Sequence, residues 1–272
     1  METRILHIWN TAGCASIVAK YMDRHYPTIS WVITRSVYDK FGFTVYGETL
    51  DIGSRHFIIE TLRRIKEYDL IHVHALDKIV PWIKRFYPKK PVLLHYEGSN
   101  VRGRWPERRK YWQVADKITV STSDLLEGAP EGVAWQPNPV DIDIFFVIAK
   151  ERKKGHAFHM SHDADDLARK YAGNRNLELT IHDRSSEPIS YVEMGEVLSS
   201  YEYYIDVKRS YSQGARGKLI QVLSKTGLEA LACECKVINW NDETLTGLQN
   251  KHHPENVVND IWNMYQGLLD GA

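Results

Sequence analysis

The sequence has no apolar stretch approaching the roughly 18 residues that a membrane-spanning helix requires. It is also poor in cysteine: Cys14, Cys233 and Cys235 are too few and too clustered for a disulfide framework. Net charge is missing as well. Lys plus Arg and Asp plus Glu each number 35, so no overall field gathers nucleic acid or anionic lipid, and any basic site has to be local. No G-x-G-x-x-G follows the first strand-like segment, which weakens a dinucleotide reading. Met1 leads directly into that segment without a signal peptide, so a reducing cytoplasm is the expected home. What the chain does have is 272 residues, 43% apolar and 11% aromatic, enough for two small domains with cores of their own.

One stretch organises the rest. Residues 224–238 (SKTGLEALACECKVI) read as a loop, a helix and a buried strand. Ser224 or Thr226 is placed to cap the helix, and Gly227 lets a ligand approach the backbone. The first-turn N–H groups and the helix dipole attract phosphate, while Glu229 offers a carboxylate to two sugar hydroxyls. Together these describe a nucleotide-sugar pocket.

The rest alternates short strands and helices. Residues 4–9 are a strand, 10–16 a small-residue turn containing Gly13, and 17–24 a helix, the opening of a nucleotide-fold unit. Strands are expected at 28–34 and 43–46, and an amphipathic helix at 57–66. Residues 69–74 (DLIHVH) form a buried parallel strand ending in polar groups, where open α/β sheets place ligands. His72 and His74 are expected on opposite faces, with His74 toward the cleft. After a helix at 79–86, the strand beginning at Pro91 delivers His95 at its C-terminal end, followed by Glu97 and Arg102. Arg102, Arg104, Arg108, Arg109 and Lys110, interleaved with Trp105 and Trp112, make a basic stretch. It reads as a solvated loop and helix rather than a nucleic-acid site, with contact to an anionic lipid face or acceptor as a further option. Two prolines fix the backbone about Asn138, as at a domain boundary. Beyond it, strands are expected at 156–160, 177–181 and 203–209 and helices at 166–171, 194–199 and 256–269. Arg152, Lys153 and Lys154 would precede the first of these strands.

Several of these segments resemble a known family. LEALAC followed by KVI is similar to the LEAMACGxPVI signature of retaining glycosyltransferases of family 4, which have the GT-B fold. DLIHVH resembles that family's DIIHVH element, residues 115–125 its AD.I.VSS..L strand, and residues 133–145 its NPVD...F segment. The resemblance implies an α/β protein with two Rossmann-like domains facing each other across a cleft: residues 1–145 on the acceptor side, residues 146–254 holding the donor, and a last helix near 255–270 packing back on the first domain. It implies transfer of a sugar from a UDP- or GDP-linked donor with retention and without a metal or other cofactor, to a carbohydrate, lipid or protein acceptor. The protein would be cytoplasmic, with peripheral membrane contact as an option. Donor contacts would fall to Gly13, Thr226, Gly227, Leu228, Glu229, Arg209 and His162, the last standing where the family carries a basic pair. His74, Glu97 and Arg102 would serve the acceptor side, and His95, Lys208 and Gln221 the transfer itself.

Two departures matter. The Arg and Lys that bind the donor diphosphate after the second domain's first strand are replaced by Ser161-His162-Asp163, which leaves Lys208 and Arg209 as the basic candidates. The first glutamate of the family's E-x7-E pattern is Gln221, which hydrogen-bonds a sugar but carries no charge. A nucleotide-sugar 2-epimerase of the same fold and a nucleotide-sugar-binding protein without turnover are therefore the alternatives. Asp163, Asp165 and Asp166 are expected to start a helix rather than to bind metal.

Overall fold

The structure is a computed structural model that describes residues 2–149, 151–161, 163–213 and 215–271. The chain divides into two compact units, Met1–Pro139 with Pro254–Ala272, and Val140–His253. The first crossover falls before residue 145 because Phe145 is buried against Tyr191, with ring centroids 5.1 Å apart, inside the second unit.

Among the described residues the first unit has one seven-stranded sheet. Its strands are β1 (Thr3–Ile8), β2 (Thr28–Arg35), β3 (Glu48–Leu50), β4 (Leu70–His74), β5 (Val92–Tyr96), β6 (Lys117–Val120) and β7 (Ala134–Trp135). All pair in parallel, in the order β3-β2-β1-β4-β5-β6-β7. The helices α1 (Cys14–His25), α2 (Ser54–Arg64), α3 (Val80–Phe86) and α4 (Trp105–Trp112) lie between these strands in sequence. Strand order reverses at β1 and β4, so the C-terminal ends of these two neighbours form the switch point of the sheet.

Period-2 alternation gives the two faces different chemistry. Leu6 and Ile8, Ile71 and Val73, and Leu94 and Tyr96 point to one face and join an apolar cluster with Phe57, Ile83 and Trp105. The opposite face carries His7, His72, His74 and His95, all at most 5% exposed. Residues 72 and 74 are two apart on one strand, so they share a face; the expectation that they would part is corrected by this periodicity.

The expected strand at residues 43–46 is instead an irregular loop, although its aromatic residues suit a strand. The Asp39 carboxylate accepts from the Phe43 and Thr44 amides at 2.6 and 3.1 Å, and the pairing strand is β3. Gly47 leads into it at φ 122°, where a Cβ would lie 2.5 Å from Val32.

The second unit has a five-stranded sheet among the described residues. Its elements are β8 (Lys153–Met160), α5 (Asp165–Gly173), β9 (Glu178–His182), α6 (Tyr191–Ser200), β10 (Tyr201–Ile205), α7 (Lys225–Ala232), β11 (Lys236–Ile238) and β12 (Thr244–Leu245). The order is β12-β11-β10-β8-β9, parallel except for the β11–β12 pair. Lys153 and Lys154 belong to β8 rather than preceding it, and β10 ends at Ile205, so Asp206 to Arg209 lie beyond the strand rather than within it. Asp165 and Asp166 do open a helix, in the first turn of α5.

The chain then returns to the first unit as α8 (Pro254–Asp270), whose Val257, Val258, Ile261 and Tyr265 are buried. Among the described residues no helix is long and apolar enough to cross a membrane. All three cysteines are buried, and none is in a disulfide. Burial pushes the Cys233 and Cys235 thiols up to about 12, so neither is a ready nucleophile.

Candidate functional site

Each unit presents a polar constellation at the C-terminal end of its sheet. In the first, strand register does the assembling: His7 lies beside His72 across β1 and β4, and His74 beside His95 across β4 and β5. The His72 and His74 rings are 4.0 Å apart, and His7 Nδ1 lies 3.2 Å from His74 Nε2. His74 Nδ1 is 3.2 Å from Glu97 Oε1, His72 Nδ1 is 2.7 Å from the Tyr265 hydroxyl on α8, and His95 Nδ1 is 2.8 Å from Thr119 Oγ1. Burial lowers all four imidazoles, His74 to about 3 and His95 to about 4, so each is neutral at pH 7. Neighbouring imidazoles reinforce the fall at His7, His72 and His95.

A cavity of about 10 Å³ adjoins this cluster, lined by Cys14, His72, His74, His95, Gln136 and Ile261 among others. It has room for about one water, not for a sugar ring. The candidates His74, Glu97 and His95 are thus brought together. Arg102 is instead committed to Asp124 at 2.7 Å, and Arg108 to the fully buried Asp77, so part of the basic stretch is neutralised within the fold. Gly13 caps α1 at φ 81° in a turn organised by Asn10, which accepts from the Ser16 amide and donates to the Ser16 and Thr44 hydroxyls.

Tyr265 carries no sequence signal beyond the apolar stripe of its helix, yet it is the partner of His72. Tyr265→Phe is expected to destabilise the protein by about 1–2 kcal/mol, because a buried imidazole nitrogen loses its partner. Urea unfolding checks this; an unchanged midpoint would mean that the contact contributes nothing.

In the second unit, strand order reverses at β8 and β10, and Asp206 stands at the end of β10. Ser224 caps α7, its hydroxyl accepting from the Gly227 amide at 2.9 Å, which decides between Ser224 and Thr226. The Asp206 carboxylate accepts from the Ser224 amide at 2.6 Å. It also fills the space beside Gly227, where a Cβ would meet Asp206 Oδ2 at 2.2 Å. Asp206 by itself accounts for a glycine at this position, and its carboxyl group stands beside the helix start. Asp206 was missed in the sequence; an acidic residue directly after a strand at a switch point is the signal that marks it.

Glu229, on the first turns of α7, is 4% exposed, with Lys225 Nζ at 3.8 Å. Burial raises its carboxyl to about 7 against the opposing pull of Lys225 and Arg184. Thr226, Leu228 and Glu229 share this helix start. Arg209 lies elsewhere: its guanidinium binds both oxygens of Asp166 at 2.8 Å and holds that carboxyl down to about 2. Its charge is thus already matched by a carboxylate. Lys208 precedes a hairpin-like loop in which the Ser210 amide donates to the Lys218 carbonyl at 2.8 Å, and Gln221 is exposed between that loop and α7. His162 lies outside the described residues.

No protein-family model matches the chain, and no curated protein matches it in sequence. Solved structures do match. AviGT4, a glycosyltransferase involved in avilamycin A biosynthesis, aligns with a TM-score of 0.64 at 11% identity, over 100% of this chain and 99% of that one. The UDP-N-acetylglucosamine 2-epimerase of Rickettsia bellii aligns with a TM-score of 0.52 at 12% identity, over 99% and 98%. These likenesses show the fold: two Rossmann-like α/β units of the GT-B type.

Proposed function

We propose that the protein transfers a sugar from a nucleoside-diphosphate donor, UDP- or GDP-linked, to a carbohydrate, lipid or protein acceptor, with retention and without a metal ion on the diphosphate. The observation that carries this reading is Glu229. It is a buried carboxylate on the first turns of a helix at a sheet's switch point, raised to about 7. A group so placed suits the two hydroxyls of a nucleotide ribose, and AviGT4, with the same fold, is a glycosyltransferase.

In this reading Glu229 accepts from the ribose, Lys208 faces the leaving phosphate and Gln221 bonds a sugar hydroxyl; His95, on a cavity with room for about one water, is given no contact with the sugar. A nucleic-acid role is disfavoured by the neutral charge and by the Arg102 and Arg108 ion pairs. The R. bellii likeness favours one second reading, a nucleotide-sugar 2-epimerase. The deciding experiment incubates the protein with UDP- and GDP-sugars, with and without mixed glycan and lipid acceptors. A transferase gives a glycosylated product with the anomeric configuration kept. Stereochemical change of the sugar, or release of free nucleotide, without an added acceptor supports the epimerase; donor binding without either reaction leaves a binding protein.

The raised carboxyl also sets a pH dependence. If the ribose requires the carboxylate, binding loses affinity as pH falls through about 7, giving about tenfold weaker UDP binding at pH 6 than at pH 8. Calorimetric titration at the two pH values checks this, and Glu229→Gln should flatten the dependence.

A further inference from the structure

The buried histidines of the first unit have more polar atoms than the fold satisfies. His7 Nε2 and His72 Nε2 are buried without a hydrogen-bond partner. We infer that His7, His72 and His74 form a three-imidazole site for one divalent transition-metal ion of the zinc class.

One ring nitrogen from each of the three lies within 4.8 Å of the others. Zinc bound tetrahedrally to imidazole at its usual bond length separates the nitrogens by about 3.4 Å. His7 Nδ1 and His74 Nε2, 3.2 Å apart, already have this spacing, so His7 ligates through Nδ1 and the unpartnered ligand atom is His72 Nε2; with all three atoms within 4.8 Å, no pair has to close by more than about 1.4 Å. Partners outside the triad fit the same reading. Glu97 at His74 Nδ1 and the Tyr265 hydroxyl at His72 Nδ1 hold those rings so that each Nε2 keeps its lone pair, the arrangement that orients metal-bound histidines.

Charge is partly balanced by Glu97, 4% exposed at its side chain, and by Asp23, whose field acts on His7. The adjoining cavity, lined by His72 and His74, has room for the one water that an open fourth position would take. An all-imidazole set favours zinc, copper, nickel or cobalt over magnesium or calcium, which take oxygen ligands. The ion would tie β1 to β4 beneath α8 within the first unit. It plays no part on the donor diphosphate, so this inference stands or falls apart from the proposed transfer.

The test uses the whole chain with any polyhistidine tag removed. The protein is stripped with a chelator, reloaded with Zn²⁺ or Co²⁺, passed through gel filtration and assayed for metal by mass spectrometry. The expected result is one ion per chain, a tetrahedral cobalt absorption spectrum, and a higher melting temperature with zinc. His7→Asn and His72→Gln should lose the ion, whereas His159→Gln, a buried histidine of the second unit, should keep it. Glu97→Gln keeps the ligands and should weaken zinc binding at least about tenfold. This variant carries the test if the ligand substitutions fail to fold. No retained metal in the natural protein overturns the inference, as does stoichiometric metal that folded His7, His72 and Glu97 variants hold equally well.

Discussion

Glu229→Ala is expected to abolish measurable nucleotide binding, weakening it by about 100-fold or more. Two hydrogen bonds from ribose hydroxyls to a carboxylate contribute about 1.5–3 kcal/mol each, and alanine removes both. The second half of this expectation concerns stability and has the opposite sign. Burial raises the Glu229 carboxyl from 4.5 to about 7, so the folded protein holds a proton that the unfolded chain releases. Its stabilising contribution is complete below about pH 4.5 and is lost as pH rises through about 7. Glu229→Gln removes that loss and should be more stable than the natural protein at pH 8, by on the order of 3 kcal/mol, while binding nucleotide poorly. Urea unfolding at pH 5 and pH 8 separates the two effects. A variant less stable at pH 8 would mean that the carboxylate is held by structural partners rather than kept for a ligand.

Gly227→Ala should be the most damaging single-methyl addition at this site, costing about 2–3 kcal/mol. The new Cβ would lie 2.2 Å from Asp206 Oδ2, 2.8 Å from its Cγ and 3.3 Å from its Cβ, so rotating the carboxylate does not relieve the clash. Asp206 has little room to retreat, being 5% exposed and bonded to the Ser224 amide. Combined with Asp206→Ala, the substitution should cost clearly less than the sum of the two single effects, with a coupling of at least about 1 kcal/mol. Additive effects in a double-mutant cycle would show that the clash is absorbed elsewhere. Full stability with lost nucleotide affinity would restore the ligand explanation for the glycine.

Much of this architecture could be read from the sequence. The apolar runs of β1, β4, β5 and β6 and the stripe of α8 are long enough to fix type and place. What failed did so locally. Residues 43–46 have the composition of a strand, but the Asp39 side chain takes the amides that pairing would need. The polar half of β8 hides behind Lys153 and Lys154, both exposed. The start of α6 was legible and overlooked: Ser190 and Glu193 form a reciprocal capping box, so the helix begins at Tyr191, three residues before Met194, where the sequence reading begins it.

The histidines show a deeper limit. Each stands in the sequence near the end of an apolar run, and the shared face of His72 and His74 follows from period 2 alone. That His7 lies beside His72, and His74 beside His95, is a matter of register between strands about 20 to 65 residues apart, which local pattern does not encode. Tyr265 is more remote still, nearly 200 residues from His72 in sequence. In the second unit, Arg209 and Lys208 are adjacent at a strand's end and read alike; only the start of α5, carrying Asp166, assigns the arginine elsewhere.

The central claim is that this chain binds a nucleotide sugar through its second unit, and calorimetric titration of the natural protein with UDP, GDP and their common sugar conjugates tests it most directly. The account predicts saturable binding of one nucleotide class, one ligand per chain, with affinity that falls from pH 8 to pH 6. No heat with either nucleotide, free or sugar-linked, across that pH range would contradict it and leave a GT-B scaffold serving some other ligand.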